Sequence, residues 1–134
     1  MQRRLQSGSA GNNGLVSDTV LIDARNVQRS RWPNVPDEEL VERARGWAER
    51  NDKRIVLVFD GKAPGGVVRA TELDERTTLV GSSGESADDW LIREAPHYPE
   101  AWLVTSDRAL RAAAGGQAER MIGGGGFLRE LEGE

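Results

Sequence analysis

Apolar residues in this chain come in short continuous runs separated by stretches of helical spacing. Thr19 to Asp23 (TVLID) and Arg54 to Asp60 (RIVLVFD) are apolar at successive positions, as expected of strands covered on both faces. Ala101 to Thr105 (AWLVT) reads the same way, Thr77 to Val80 as a shorter strand, and Glu119 to Ile122 as a weak fifth. Between the runs the period changes. Leu40, Val41, Ala44, Trp47 and Ala48 recur at 3.6-residue spacing, which predicts a helix from an Asp37 N-cap to about Asn51. Ser86 is the expected N-cap of a helix through about Ala95. Ser106 or Asp107 should cap another, through about Ala114, where Gly115-Gly116 stops it. Ala24 to Pro36, Gly61 to Gly66 and Gly123 to Gly126 read as loops or turns, Pro96 and Pro99 bracket another, and Phe127 to Leu131 forms a last helical turn or two.

Strands alternating with helices imply an α/β fold: a central parallel sheet of about five strands with helices on both faces. Right-handed crossovers prune the alternative topologies. The 134 residues suffice for one domain, expected over residues 18–134. Residues 1–17 are polar, rich in Gly, Ser and Asn, and lack the apolar core of a secretion signal. They are expected to be a disordered leader or a non-native remnant. No stretch approaches the ~20 apolar residues needed to span a membrane.

The strands carry the chemistry at their ends. Asp23, Asp60 and Asp107 each follow an apolar run, and Asp88 opens a helix after Leu79-Val80. In an open parallel sheet, ligands bind at the carboxyl edge of the strands. Each acid alone has a structural explanation: Asp23 as an Asx-turn, Asp107 as an N-cap, Asp89 as part of a capping box with Ser86. Together they are harder to explain that way. Acids at adjacent strand ends lie within about 5–10 Å of one another. Two carboxylates ~5 Å apart repel by roughly 3 kcal/mol at an effective dielectric of 20. A bound cation removes that repulsion. With no cysteine and a single histidine, His97, the oxygen-rich set selects Mg²⁺ or Mn²⁺ over zinc. The lack of cysteine is also compatible with a reducing, cytoplasmic setting.

The net charge of −4 gives no global nucleic-acid signal. Basic residues are nonetheless concentrated after the first strand, at Arg25, Arg29 and Arg31, with Arg108 beside Asp107. Arg forks match phosphate, and Trp32 beside them offers a face for a base. Equally, this segment reads as a solvated loop with Trp32 packed on the core. Asn26 could orient a water or a phosphate oxygen, or be an ordinary turn residue. Trp47, Trp90 and Trp102 are expected in the core and His97 at the surface. Neither glycine-rich stretch carries a dinucleotide or P-loop pattern.

Leu21-Ile22-Asp23-Ala24-Arg25-Asn26, Val58-Phe59-Asp60-Gly61, Ser86-Ala87-Asp88-Asp89 and Val104-Thr105-Ser106-Asp107-Arg108 resemble, in order and spacing, the NYN domains of the PIN-like nuclease superfamily. The likeness is strongest to the YacP-like branch and runs from about Thr19 to Leu131. It implies a parallel-sheet α/β fold and a metal-dependent ribonuclease. It makes Asp23, Asp60, Asp88 and Asp107 the acidic metal site for Mg²⁺ or Mn²⁺, with Asp89 as an extra ligand in competition with its capping role. Asn26 matches the family's asparagine. Ala24 and Arg25 stand where the family commonly has Gly and Tyr, so substrate contacts there are expected to differ.

The leading expectation is therefore an endoribonuclease, with Arg25, Arg29, Arg31 and Arg108 holding the RNA backbone. The acidic total charge implies RNA binding that is local, or helped by a partner such as the ribosome. Two alternatives stay open: a non-catalytic RNA-binding or adaptor module on the same fold, and a small-molecule phosphohydrolase. The second is disfavoured because no Asp-x-Asp nucleophile motif follows the first strand.

Overall fold

A computed structural model describes residues 18–133. The expected leader, residues 1–17, lies outside the described residues. Six strands form one sheet: β1 (Thr19–Asp23), β2 (Arg54–Phe59), β3 (Ala70–Glu72), β4 (Thr77–Gly81), β5 (Trp102–Val104) and β6 (Arg120–Ile122). Their order across the sheet is β3-β4-β2-β1-β5-β6. All neighbours pair in parallel except β3, which runs antiparallel to β4 at the edge. The helices are α1 (Ala24–Gln28), α2 (Asp37–Arg50), α3 (Ala87–Glu94), α4 (Arg108–Ala114) and α5 (Gly124–Glu132).

The alternation of side chains along a strand builds two cores from one sheet. Val20 and Ile22 of β1, with Ile55, Leu57 and Phe59 of β2, face α1, α2 and α5 through Val27, Leu40, Trp47 and Phe127. The residues between them, Leu21, Val56 and Val58, face α3 and α4 through Leu91 and Leu110. That is why β1 and β2 are apolar throughout. Each fully buried side chain of this size contributes about 1.5–3 kcal/mol relative to exposure. The central strands are thus held rigidly, and so are the residues at their ends. Among the described residues no helix is long and apolar enough to cross a membrane.

The sheet has one strand beyond the five or so expected: β3, three exposed residues, Ala-Thr-Glu, with no apolar pattern. Three expectations need correction. Ala24 to Pro36 is not all loop, because Asp23 caps the one-turn helix α1. Gly123 to Gly126 is not a turn, since α5 begins at Gly124. Pro36 rather than Asp37 is the N-cap of α2; Asp37 sits in the first turn, where its carboxylate accepts a hydrogen bond from Gln28 Nε2.

The tryptophans divide. Trp47 is buried against Trp102 and Phe127. Trp90 is half-buried against the α3–α4 core. Trp102 is half-buried, with Lys53 and Arg120 over its ring. Trp32 is 87% exposed, which excludes the core-packed reading. His97 is at the surface, 3.2 Å from Glu94.

Candidate active site

From β1 the chain moves outward through β2 to β4, then returns to lay β5 against the other side of β1. The strand order reverses between β1 and β5, and there the loops leave in opposite directions and open a crevice. Asp23 ends β1 on one side of it, and Asp107 follows β5 on the other.

Asp23 is only 6% exposed. One carboxylate oxygen accepts the Asn26 N–H at 3.4 Å, which caps α1, and the other accepts the buried Thr105 hydroxyl at 3.1 Å. Burial pushes this carboxyl above its ordinary value. The two hydrogen bonds pull against that, and the charges of Asp88 and Asp60 add to it. Asp60, just beyond β2, accepts the Ala87 N–H at 2.8 Å and so ties the strand end to the start of α3. Asp107 caps α4 by accepting the Leu110 N–H at 3.0 Å. Asp88, in the first turn of α3, receives no hydrogen bond among the described residues. Its carboxyl is also raised, first by burial and then by the charges of Asp107, Asp60 and Asp89.

All four acids line one cavity of about 270 Å³, together with Arg25, Asn26, Arg29 and Ser86. Four carboxylates with no sulfur or imidazole among them match a hard divalent cation. Asp60 and Asp107 each spend one oxygen on a backbone N–H and keep the other for a ligand. Among the described residues, however, no three acid or histidine side chains already stand around a common point.

The remaining expected residues divide between the cavity and its surroundings. Asn26 is at the cavity, but its amide oxygen accepts the Ser106 N–H at 2.9 Å. The Ser106 hydroxyl in turn accepts the Gly124 N–H at 2.9 Å. This clasp joins the end of β1, the loop after β5 and the start of α5. It also accounts for a glycine at 124, where a Cβ would lie 2.7 Å from the Asn26 carbonyl oxygen. Arg25 and Arg29 line the cavity, and neither makes an ion pair among the described residues. Arg31 and Arg108 do not line it. Arg31 instead bonds Glu39 at 3.5 Å and Glu132. Asp89 is exposed and outside the cavity; its backbone N–H donates to Ser86 Oγ at 3.0 Å, the capping arrangement.

Two contributors were not anticipated. Thr105 fixes the Asp23 carboxylate, and its hydroxyl also accepts the Asp107 N–H at 3.2 Å. Its signal in sequence is a hydroxyl ending an apolar run two positions before an acid. Ser86, expected only as a cap, lines the cavity as well.

The architecture is the parallel-sheet α/β fold that the motif resemblance implied. Solved structures that share it include two of Rae1 (YacP) from Bacillus subtilis. One, a tryptophan-to-leucine variant, is 21% identical, with a TM-score of 0.65 over 87% of this chain and 76% of that one. The other is 19% identical, with a TM-score of 0.62 over 86% and 74%. At these identities the likeness is one of fold. No protein-family model and no curated protein matches the chain.

Proposed function

We propose that this protein is a metal-dependent endoribonuclease that hydrolyses RNA phosphodiester bonds at the acidic cavity. The observation that carries the proposal is the meeting of Asp23, Asp60, Asp88 and Asp107 in one cavity at the strand-order switch. The shared fold with Rae1 (YacP), a member of the ribonuclease branch that the motifs resemble, supports it.

In this reading the four aspartates hold Mg²⁺ or Mn²⁺. Bound there, the ion supplies an activated water and stabilises the leaving oxygen. The protein's own part is placement. Thr105 and the Asn26 N–H fix the Asp23 carboxylate, and the Asp60–Ala87 bond sets α3, and hence Asp88, relative to β2. Arg25 and Arg29 line the cavity with the acids and hold the RNA backbone there. Asn26 acts as a clasp that keeps the two sides of the crevice in register. RNA contact is local in a chain of net charge −4, which leaves room for a partner such as the ribosome to deliver the substrate. The setting we assign is cytoplasmic.

The experiment is cleavage of single-stranded RNA with Mn²⁺ by wild type, Asp23→Asn and Asp107→Asn. Loss of cleavage in both variants is expected; cleavage that persists in both excludes the acidic site. One observation favours a second reading, a non-catalytic RNA-binding module: among the described residues no three acids are already set around a point. RNA binding by wild type without cleavage, and without thermal stabilisation by Mn²⁺, would select it.

A further inference from the structure

The turn between α1 and α2 holds an aromatic ring in solvent, three positions along the chain from the cavity-lining Arg29. Trp32 is 87% exposed and has no ring or hydrogen-bond partner among the described residues. An indole removes a large apolar area from water when buried, and leaving one out forgoes that gain. The other three tryptophans are taken up by the fold: Trp47 in the core, Trp90 against α3 and α4, and Trp102 under Lys53 and Arg120.

The turn that carries Trp32 is braced on both sides. Ser30 Oγ donates to the Val27 carbonyl at 2.6 Å. Val35 is buried, and its N–H and carbonyl both bond Gln28, at 3.1 and 2.9 Å. Arg31, immediately before the ring, is held by Glu39 and Glu132. The ring is therefore presented by an ordered backbone, which lowers the entropy lost when it captures a ligand. Two residues, Ser30 and Arg31, lie between it and Arg29 at the cavity. Those three steps along the chain reach at most about 10 Å, the span of a few nucleotides.

We infer that Trp32 is a base-stacking platform for single-stranded RNA. It takes a nucleobase close to the phosphate held at the acidic cavity, with Arg29 on the intervening backbone. The occupant follows from charge: the cavity-lining cations, Arg25 and Arg29, have no ion-pair partner among the described residues, so the ligand has a flat apolar face and an anionic backbone. Arg31, expected from the sequence to hold phosphate, is a positioning residue for the ring. This inference rests on the RNA reading of the cavity.

The test uses the full chain carrying Asp107→Asn, so that RNA is not consumed. The probe is a strand of roughly ten uridines, within the range that single-strand sites cover, alongside the same strand with abasic positions. Trp32→Ala is expected to weaken uridine binding about 5- to 100-fold, the usual effect of losing one base–aromatic stack. Trp32→Phe should retain most of the affinity, and Trp32→Leu should not. Binding should quench tryptophan fluorescence, and the quench should vanish in Trp32→Ala. The abasic strand should bind wild type and Trp32→Ala alike. Unchanged uridine affinity in Trp32→Ala, or full affinity in Trp32→Leu, overturns the platform and leaves the nuclease reading standing. No RNA binding by the protein with Trp32 intact overturns both.

Discussion

Replacing Asp23 by asparagine separates what the residue does for the fold from what it does for a ligand. The carboxylate is 6% exposed, and burial together with Asp88 and Asp60 disfavours its charge. Asparagine keeps the shape and, through its one amide oxygen, can still accept from Thr105 Oγ1. It gives up the weaker of the two hydrogen bonds, the 3.4 Å contact from the Asn26 N–H, at about 0.5–1 kcal/mol. Against that, two repulsions disappear. At ~8 Å and an effective dielectric of 20, each would be about 2 kcal/mol, roughly halved or more by water at these partly exposed partners. The balance is a gain near 1 kcal/mol, or about 4 °C in Tm for a domain of this size. Alanine reverses the sign. It loses the cap, about 1 kcal/mol, and strips the buried Thr105 hydroxyl of its acceptor, about 1–3 kcal/mol.

The assay is differential scanning calorimetry in chelator and again with Mn²⁺. A ligand at a hundred times its Kd adds about 2.7 kcal/mol to stability. Wild type is expected to gain most from the ion and Asp23→Asn least, although the variant melts higher in chelator. The pH dependence carries the same logic. The native Asp23 carboxyl lies above its ordinary value of 3.8, so the folded state binds this proton more tightly than the unfolded chain. Its contribution to metal-free stability therefore grows as pH falls through the raised value towards 3.8, and that component is absent in Asp23→Asn. An asparagine variant that melts below wild type in chelator, or gains as much from Mn²⁺, would refute the reasoning.

Thr105→Val removes the hydroxyl that favours the charged form of Asp23, so the acidic limb of the cleavage pH–rate profile should move to higher pH; an unmoved limb would leave Thr105 without this role. Gly124→Ala places a Cβ 2.7 Å from the Asn26 carbonyl oxygen and should cost about 1–3 kcal/mol by overpacking, measured by urea unfolding. Arg29→Ala should weaken RNA binding and flatten its salt dependence, with the slope of log affinity against log salt reduced by about 0.7 for a single strand. Arg108→Ala, outside the cavity lining, should leave that slope as in wild type, in the same titration.

What could be read in the chain followed from how local each cause was. β1, β2 and β5 are continuous apolar runs because helices cover both faces, so burial writes itself into every position. The caps at Ser86 and Asp107 were legible because a side-chain oxygen three residues ahead of its N–H is a local event. β3 was hidden because it gains its place from pairing with β4 alone, without a buried side chain. The glycines opening α5 looked like a turn because their cause, the approach of Gly124 to Asn26, spans the chain. The bond from Arg31 to Glu132 joins residues 101 apart, so nothing near Arg31 distinguishes a brace from a phosphate ligand. The meeting of the acids is intermediate: their strand-end positions are local, and their convergence depends on β1 lying between β2 and β5.

The clasp of Asn26, Ser106 and Gly124 bears on how the protein is born. Of these elements synthesis delivers β1 first and α5 last, yet the clasp closes only when Asn26 meets Ser106 and Ser106 meets Gly124. A nascent chain that has emerged through β4 holds Asp23 and Asp60 but has neither Asp107 nor the residues that fix the far wall of the crevice. The acidic cavity is consequently a late product of vectorial folding. While the chain is still being made, the messenger that encodes it is exposed to an incomplete site.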